Sequence, residues 1–161
     1  MKMDKNFKNY LYVDKIDYVK EKKQENCIFC DLKLLQDTLI HEYDDFLIVL
    51  NKYPFNPGHL MIIPKRHIED IDELSEVEFF KLFQLLKLCK KLLIKTHNPH
   101  GFNIGLNIGE VAGGSVRHLH VHVVPRYKSE LNFLEVTVGT RVIVEKLEDT
   151  LKKIKDEFNK K

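Results

Sequence analysis

The chain has 161 residues, of which 43% are hydrophobic and 31% are charged, and its formal net charge at pH 7 is +2. This length suits one domain with a substantial core, and so small a charge gives no reason to expect binding to nucleic acid or to anionic membranes. The sequence has no apolar run of transmembrane length and no signal-peptide pattern at its start, so we expect a cytoplasmic protein that does not enter a membrane.

The first half of the chain predicts an extension followed by three strands. Residues 1–26 are polar and rich in lysine, an N-terminal extension whose one apolar patch could add an edge strand. TLIHEYD and FLIVLN predict two short strands around a turn at Asp44–Asp45. After the loop NKYPFNPGH, the β-branched run HLMIIP predicts a buried strand that ends at Pro64.

A long helix is predicted after Ser75. Ser75 and Glu78 have the spacing of a capping box, and EVEFFKLFQLLKLCKKLLIK continues without glycine or proline until HNPHG ends the helix. Its apolar positions cover a wider face than the usual stripe of about 100°. This width fits the homodimer that we expect, and it fits equally a thick core in a monomer.

The second half alternates strands with turns and ends in a helix. GFNIGLNIG predicts a strand, EVAGGSV a glycine-rich turn and RHLHVHVVP a further strand. FLEVTVGTRVIV could add a hairpin or a connection, and EKLEDTLKKIKDEF predicts an amphipathic helix. Antiparallel strands with segregated helices predict a single α+β domain over residues 27–161.

Three histidines occupy alternate positions in RHLHVHVVP. In a strand, His118, His120 and His122 would share one face, about 6–7 Å apart at ~3.3 Å per residue. Such a group could bind zinc, sense pH, or use a neutral imidazole as a nucleophile toward phosphorus. The surroundings favour phosphoryl chemistry, because GEVAGGSV offers backbone N–H groups and a serine, and Arg117 and Arg126 flank the histidines.

The two cysteines of ENCIFCDL form a C-x-x-C motif. Three cysteines do not make a disulfide framework, and this spacing in a reducing compartment indicates metal or redox chemistry. No thioredoxin-like βαβ pattern surrounds Cys27 and Cys30, which disfavours the redox alternative. Cys89 lies on an apolar helix face and is expected in the core.

These motifs together resemble the histidine triad family. Its signature, three histidines alternating with apolar residues, is matched by HLHVHVV. NPGHLMIIPKRHIEDIDEL and GLNIGEVAGGSVRHLHVHVVPRY resemble two further blocks of the family, and with CIFC the resemblance covers residues 27–128. It implies an α+β fold with a mainly antiparallel five-stranded sheet, a long helix and a C-terminal helix.

The resemblance also implies roles for individual residues. His120 would be the nucleophile that takes the nucleotidyl group through its α-phosphate, and His122 would contact the phosphate and assist the leaving group. Asn51 would bind the ribose, although it could instead cap a turn, and Asn107 would touch the phosphate unless it is a strand-end amide. The remaining nucleotide-binding residues implied are His59, Leu50, Met61, Gly113, Gly114 and Ser115.

A structural zinc ion is implied in the same way. Family members with a C-x-x-C motif pair it with the histidine of PKRH, here His67, and with the first triad histidine, His118. With Cys27 and Cys30 these would form a closed tetrahedral Cys₂His₂ site that clips the N-terminal segment to the histidine strand. The alternatives are a vestigial pair of thiols and a redox motif.

One departure points to a branch of the family. Many members carry glutamine where this chain has Gly114 in AGGSV, and a glycine would open space beside the phosphates and remove a donor. The Gly-Ser form resembles the diadenosine tetraphosphate hydrolase/phosphorylase branch. We therefore expect cleavage of dinucleoside polyphosphates, with water or inorganic phosphate as the acceptor. The alternatives are a nucleoside phosphoramidate hydrolase and a non-catalytic nucleotide-binding adaptor.

Overall fold

A computed structural model of the protein describes residues 27–128 and 145–160. Its five strands are β1 (Leu39–Glu42), β2 (Phe46–Leu50), β3 (Leu60–Pro64), β4 (Gly101–Leu106) and β5 (Val121–Arg126). Its helices are α1 (Leu32–Leu35), α2 (Glu76–His97) and α3 (Leu147–Phe158), with short 3₁₀ turns at Ile71–Glu73 and Glu110–Ala112.

The strands form one antiparallel sheet in the order β1-β2-β3-β5-β4. Strand β5 therefore lies between β3 and β4, so that β3 pairs with β5 and not with β4, the next strand in the chain. Its register places His122 opposite Met61 on one side and opposite Gly105 on the other. The predicted α+β fold with a five-stranded antiparallel sheet is confirmed.

The histidine segment is only partly a strand. The predicted strand began at Arg117, but β5 begins at Val121, so His118 and His120 precede the sheet. Contacts outside the sheet hold this backbone, because the Leu119 N–H donates to Ile68 O at 2.6 Å and the His118 N–H donates to Val116 O at 2.9 Å. The predicted N-terminal extension and the predicted hairpin at 133–144 lie outside the described residues.

Helix α2 begins with the predicted capping box. The Ser75 hydroxyl accepts from the Glu78 N–H, and the Glu78 side chain accepts from the Ser75 N–H. The helix ends where Asn98 adopts a left-handed conformation with φ 45°. Five residues of α2 are buried against the sheet: Leu82, Leu85, Cys89, Leu92 and Leu93.

The opposite face of α2 is also apolar but exposed. Val77, Phe80 and Phe83 are 65%, 65% and 52% exposed. This is the wide apolar face on which the homodimer was predicted, and the homodimer stays a prediction. No helix within the described ranges combines the length and the hydropathy needed to cross a bilayer.

The sheet separates two apolar clusters. One includes Phe46, Ile48 and Ile62 and lies under α2 and α3. The other includes Phe29, Met61 and Ile63 and lies on the opposite face. Since His122 pairs with Met61 across the β3–β5 register, it emerges on the face of the second cluster.

The loop before β3 depends on a glycine at position 58. Gly58 has φ +83°, and a Cβ there would lie 2.9 Å from Leu93 Cδ2. The neighbouring Asn56 donates from Nδ2 to Pro125 O at 2.8 Å, and the Asn51 N–H donates to His59 O at 2.8 Å. These contacts fix the loop between β2 and β5 and so place the His59 ring.

We expect Gly58→Ala to lower the free energy of unfolding by about 1–3 kcal/mol, because the substitution combines a left-handed backbone with a close contact. Chemical denaturation of the purified variants measures this. Gly105→Ala is the matched control, since a Cβ there meets nothing within 4 Å. Equal stability of both variants would contradict this account of the loop.

Candidate functional site

The His120 ring is held in one tautomer by the backbone. Its Nδ1 lies 2.7 Å from His118 O, and because a carbonyl only accepts, the proton must be on Nδ1. The neutral ring therefore carries its lone pair on Nε2. The ring is 7% exposed and packs edge-on against Phe29 and His122, with centroid distances of 5.1 and 4.8 Å.

A second chain of hydrogen bonds orients His122. The Phe55 N–H donates to His59 Nδ1 at 3.1 Å, so a neutral His59 carries its proton on Nε2. That Nε2 lies 3.0 Å from His122 Nδ1 and donates to it. The Asn51 amide contacts the same Nε2 at a longer 3.4 Å. A neutral His122 therefore carries its own proton on Nε2, where it can be donated.

The two triad histidines line a cavity of about 870 Å³. Most of the residues expected at a nucleotide line it as well: Leu50, Asn51, Met61, Asn107, Gly113 and Ser115. His59 is fully buried and acts through its contact with His122. Asn51 also caps a turn, because its Oδ1 accepts from the Tyr53 N–H at 2.9 Å. The two interpretations of Asn51 are thus compatible.

The glycine-rich loop differs from expectation at Gly114. We expected this residue to open space beside the phosphates, but it is buried and is not among the residues lining the cavity. A Cβ there would lie 2.9 Å from Gly109 O and 3.0 Å from Asn107 O, so the glycine permits close backbone packing. Its N–H donates to Gly109 O at 3.1 Å.

The neighbouring N–H groups of this loop are also engaged within it. The Gly113 N–H donates to Glu110 O and the Ser115 N–H donates to Gly113 O, each at 3.0 Å. The expected nest of backbone donors is therefore closed on itself in this structure. The residues that the loop presents to the cavity are the exposed Gly113 and Ser115 and the half-buried Val116.

Helix α3 forms a wall of the cavity that the sequence did not reveal. Leu147, Leu151 and Lys152 line the cavity, and Ile154, on the same face of the helix as Leu147 and Leu151, is fully buried in the core. At the start of the helix, Glu145 Oε2 lies 3.0 Å from His97 Nε2 at the end of α2. The amphipathic pattern predicted the helix, but no local signal shows which side of the sheet it reaches.

The predicted metal ligands come together beside the triad. The ligand atoms of Cys27, Cys30, His67 and His118 all lie within 4.8 Å of one another. Cys27 Sγ is 3.3 Å from His118 Nδ1, and Cys30 Sγ is 3.4 Å from His67 Nδ1. Sulfur and nitrogen ligands of a tetrahedral zinc ion are separated by about 3.5 Å. These four residues could therefore bind a metal ion.

The protonation of the cluster also fits a metal ion. His118 Nε2 donates to Pro64 O at 2.8 Å, which turns the unprotonated Nδ1 toward the cysteines. Burial lowers the pKa of His118 and favours the neutral imidazole that a metal requires. Partial desolvation and the adjacent Cys27 raise the pKa of the Cys30 thiol to about 11, so a cation would be needed to hold both thiolates at neutral pH.

Known proteins are similar to this chain over most of its length. A family model described as the HIT domain matches residues 33–129. The chain is 42% identical over 111 residues to a Mycobacterium tuberculosis protein named AP-4-A phosphorylase, and the match covers 68% of this chain. It covers 57% of that relative, so the chain spans little more than half of the relative's length.

Two further matches cover more of the partner protein. An uncharacterized HIT-like protein of Methanocaldococcus jannaschii is 34% identical over 131 residues, covering 80% of this chain and 98% of that protein. A crystal structure of a Zn-bound histidine triad family protein from Mycobacterium smegmatis has a TM-score of 0.67 at 25% identity, covering 84% of this chain and 94% of that one.

We expect the burial of His97 to make stability depend on pH. Burial lowers the pKa of His97 from its ordinary 6.5 despite the adjacent carboxylate of Glu145. Below about pH 6.5 the unfolded chain binds this proton more readily, so the free energy of unfolding falls with acidification, by at most about 1.4 kcal/mol per pH unit.

Urea denaturation between pH 7.5 and 5.5 checks this. His97→Gln should give a shallower fall in stability than the natural chain, whereas the control His100→Gln, at an exposed position, should keep the natural slope. An unchanged slope in His97→Gln would refute the assignment.

Proposed function

This chain belongs to the HIT, or histidine triad, family, and we propose that it cleaves dinucleoside polyphosphates such as diadenosine tetraphosphate at the α-phosphate. The observation that carries this proposal is the tautomer of His120, whose Nδ1–H donates to His118 O at 2.7 Å and leaves the lone pair on Nε2. A neutral imidazole nitrogen is a nucleophile toward phosphorus that needs no separate base.

The reaction would proceed in two displacements. His120 Nε2 attacks the α-phosphorus, the bond to the bridging oxygen breaks, and the nucleotidyl group is held on His120. The leaving oxygen departs on the phosphate chain as an anion and accepts a hydrogen bond from His122 Nε2–H, while His59 keeps the His122 ring oriented through the 3.0 Å contact at Nδ1. Water or inorganic phosphate then attacks the same phosphorus, the bond to His120 breaks to restore the neutral imidazole, and the proton that the attacking group loses passes to solvent.

The cavity supplies the binding groups around this centre. Leu50 and Met61 offer an apolar surface for the base, and Asn51 lies where a ribose hydroxyl can reach it. The Ser115 hydroxyl and the Asn107 amide can donate to the phosphate oxygens, because both line the cavity with His120. With the loop N–H groups engaged internally, these two side chains and Gly113 would make most of the phosphate contacts.

The likeness to AP-4-A phosphorylase supports phosphate as the acceptor. Incubation with diadenosine tetraphosphate, with and without inorganic phosphate, distinguishes the alternatives. ADP with ATP, formed only when phosphate is present, indicates phosphorolysis. AMP with ATP in the absence of phosphate indicates hydrolysis. Turnover of adenosine 5′-phosphoramidate alone would favour a phosphoramidate hydrolase, and no turnover of any nucleotide would favour the adaptor.

We expect His120→Ala to lower kcat by at least about a thousandfold, because the covalent step loses its nucleophile. Product formation by chromatography and thermal unfolding are measured together, so that a folding defect is recognised. His100→Ala is the matched control, since His100 is exposed and lies outside the cavity. Full activity of a folded His120→Ala protein would eliminate the proposed mechanism.

We also propose that the Cys27, Cys30, His67 and His118 cluster binds a structural zinc ion. Two sulfur and two nitrogen donors suit zinc and leave no open coordination position, so the ion would stiffen the segment that carries His120 without entering the reaction. Phe29, two residues after Cys27, contacts the rings of both His118 and His120 at 5.9 and 5.1 Å.

Elemental analysis of the purified protein should find about one zinc ion per chain, because the four ligands form one site. Cys30→Ser should lose the metal and lower the unfolding temperature. Cys89→Ser should keep it, since Cys89 lies on the buried face of α2, in the core. Metal-free protein with unchanged stability would count against a structural zinc site.

A further inference from the structure

A second cavity adjoins the first one at His122. It has a volume of about 300 Å³ and shares Phe55, Asn107 and His122 with the larger cavity. His120 lines the larger cavity but not this one. The histidine that would donate a hydrogen bond to the leaving group thus lies at the junction, with the nucleophile on one side of it and the second cavity on the other.

The register of β4 and β5 forms the floor of the second cavity. His122, Val124 and Arg126 alternate along β5 and share one face, and their partners on β4 are Gly105, Asn103 and Gly101. A Cβ at Gly105 would meet nothing within 4 Å, so the space directly beside His122 is open. A leaving group whose bridging oxygen lies beside His122 can therefore extend along this face toward Arg126.

Arg126 is the charged residue of this cavity. The described residues that line it include no other lysine, arginine or carboxylate. The guanidinium donates to Asn103 Oδ1 on the neighbouring strand, which holds the side chain over the β4 surface. The Cα atoms of Arg126 and His122 are separated by about 13 Å at ~3.3 Å per residue, a span along which several linked phosphates can lie.

Phe55 borders both cavities and presents an aromatic face. Its ring stacks on His59, with centroids 5.1 Å apart and an angle of 17°, and it remains 47% exposed. Its centroid lies 6.4 Å from that of His122. An exposed ring fixed from behind in this way can stack on a nucleobase.

We propose that the second cavity is a leaving-group subsite and that Arg126 determines specificity for polyphosphate leaving groups. This inference rests on the proposed function. When the bond from the α-phosphorus breaks, the bridging oxygen accepts a hydrogen bond from His122, and the phosphates of the departing ADP or ATP carry negative charge. A guanidinium pairs with phosphate oxygens in a bidentate manner. Phe55 would stack on the second base.

Two classes of substrate for this site differ in the charge that they place beyond His122. A dinucleoside polyphosphate places anionic phosphates beyond His122, whereas adenosine 5′-phosphoramidate releases only ammonia and has nothing to offer Arg126. Arg126 should therefore affect the first substrate and not the second. A purely structural role of Arg126 would affect both equally.

The test compares kcat/KM for the two substrates in Arg126→Gln and Arg126→Lys. Arg126→Gln should lower kcat/KM for diadenosine tetraphosphate by about 10- to 100-fold, the loss of one charge-assisted contact, with adenosine 5′-phosphoramidate unchanged. Arg126→Lys should recover part of the loss. Lys128→Gln, which removes a nearby exposed charge outside both cavities, should change neither substrate. Equal losses on both substrates, or none on either, would overturn the subsite.

A binding measurement keeps the test independent of turnover. In a His120→Ala background, Arg126→Gln should raise the Kd for diadenosine tetraphosphate by about tenfold and leave the Kd for AMP unchanged. If the natural chain turns over neither substrate yet this shift occurs, the proposed catalytic function fails and the subsite stands. If the chain turns over the tetraphosphate and Arg126→Gln loses nothing, the subsite fails and the catalytic function stands.

Discussion

The hydrogen bond from His120 Nδ1 to the carbonyl of His118 is the constraint on which the chemistry depends. It leaves the Nε2 lone pair on a neutral ring and keeps the ring from rotating. The carbonyl belongs to a residue that is itself held, because His118 donates from Nε2 to Pro64 O and turns Nδ1 toward Cys27 and Cys30. One residue therefore connects the cysteine–histidine cluster, strand β3 and the proposed nucleophile.

The fold supports this bond from both sides of β5. Strand β3 brings Pro64 and the His59 loop to one edge of β5, and Gly58 lets that loop pack against Leu93 of α2. On the other edge, β4 provides Gly105, which leaves the space beside His122 open. The sheet thus provides Pro64 O, which accepts the His118 proton, and positions His59, which donates to His122. It also leaves open the space beside His122 in which we propose that a leaving group lies.

Much of this arrangement was predictable from local patterns. The capping box at Ser75 predicted the start of a helix, and the apolar alternation from Val121 onward predicted strand β5. The histidine partners of Cys27 and Cys30 were implied by the family resemblance, and the four residues lie together. Predictions that depend on contacts distant in sequence were less successful. The start of β5 is set by a bond from Leu119 to Ile68. The role of Gly114 is set by packing against Gly109, and α3 reaches the cavity through burial of Ile154.

The most direct test of the account is the tautomer of His120 in solution. Nitrogen NMR of histidine-labelled protein at neutral pH, with His120→Ala used to assign the signals, reports which ring nitrogen carries the proton. The account predicts a neutral ring with a protonated Nδ1 and an unprotonated Nε2, and a change in the Nε2 chemical shift when a phosphate analogue binds. A ring protonated on Nε2, or an imidazolium at neutral pH, would contradict it.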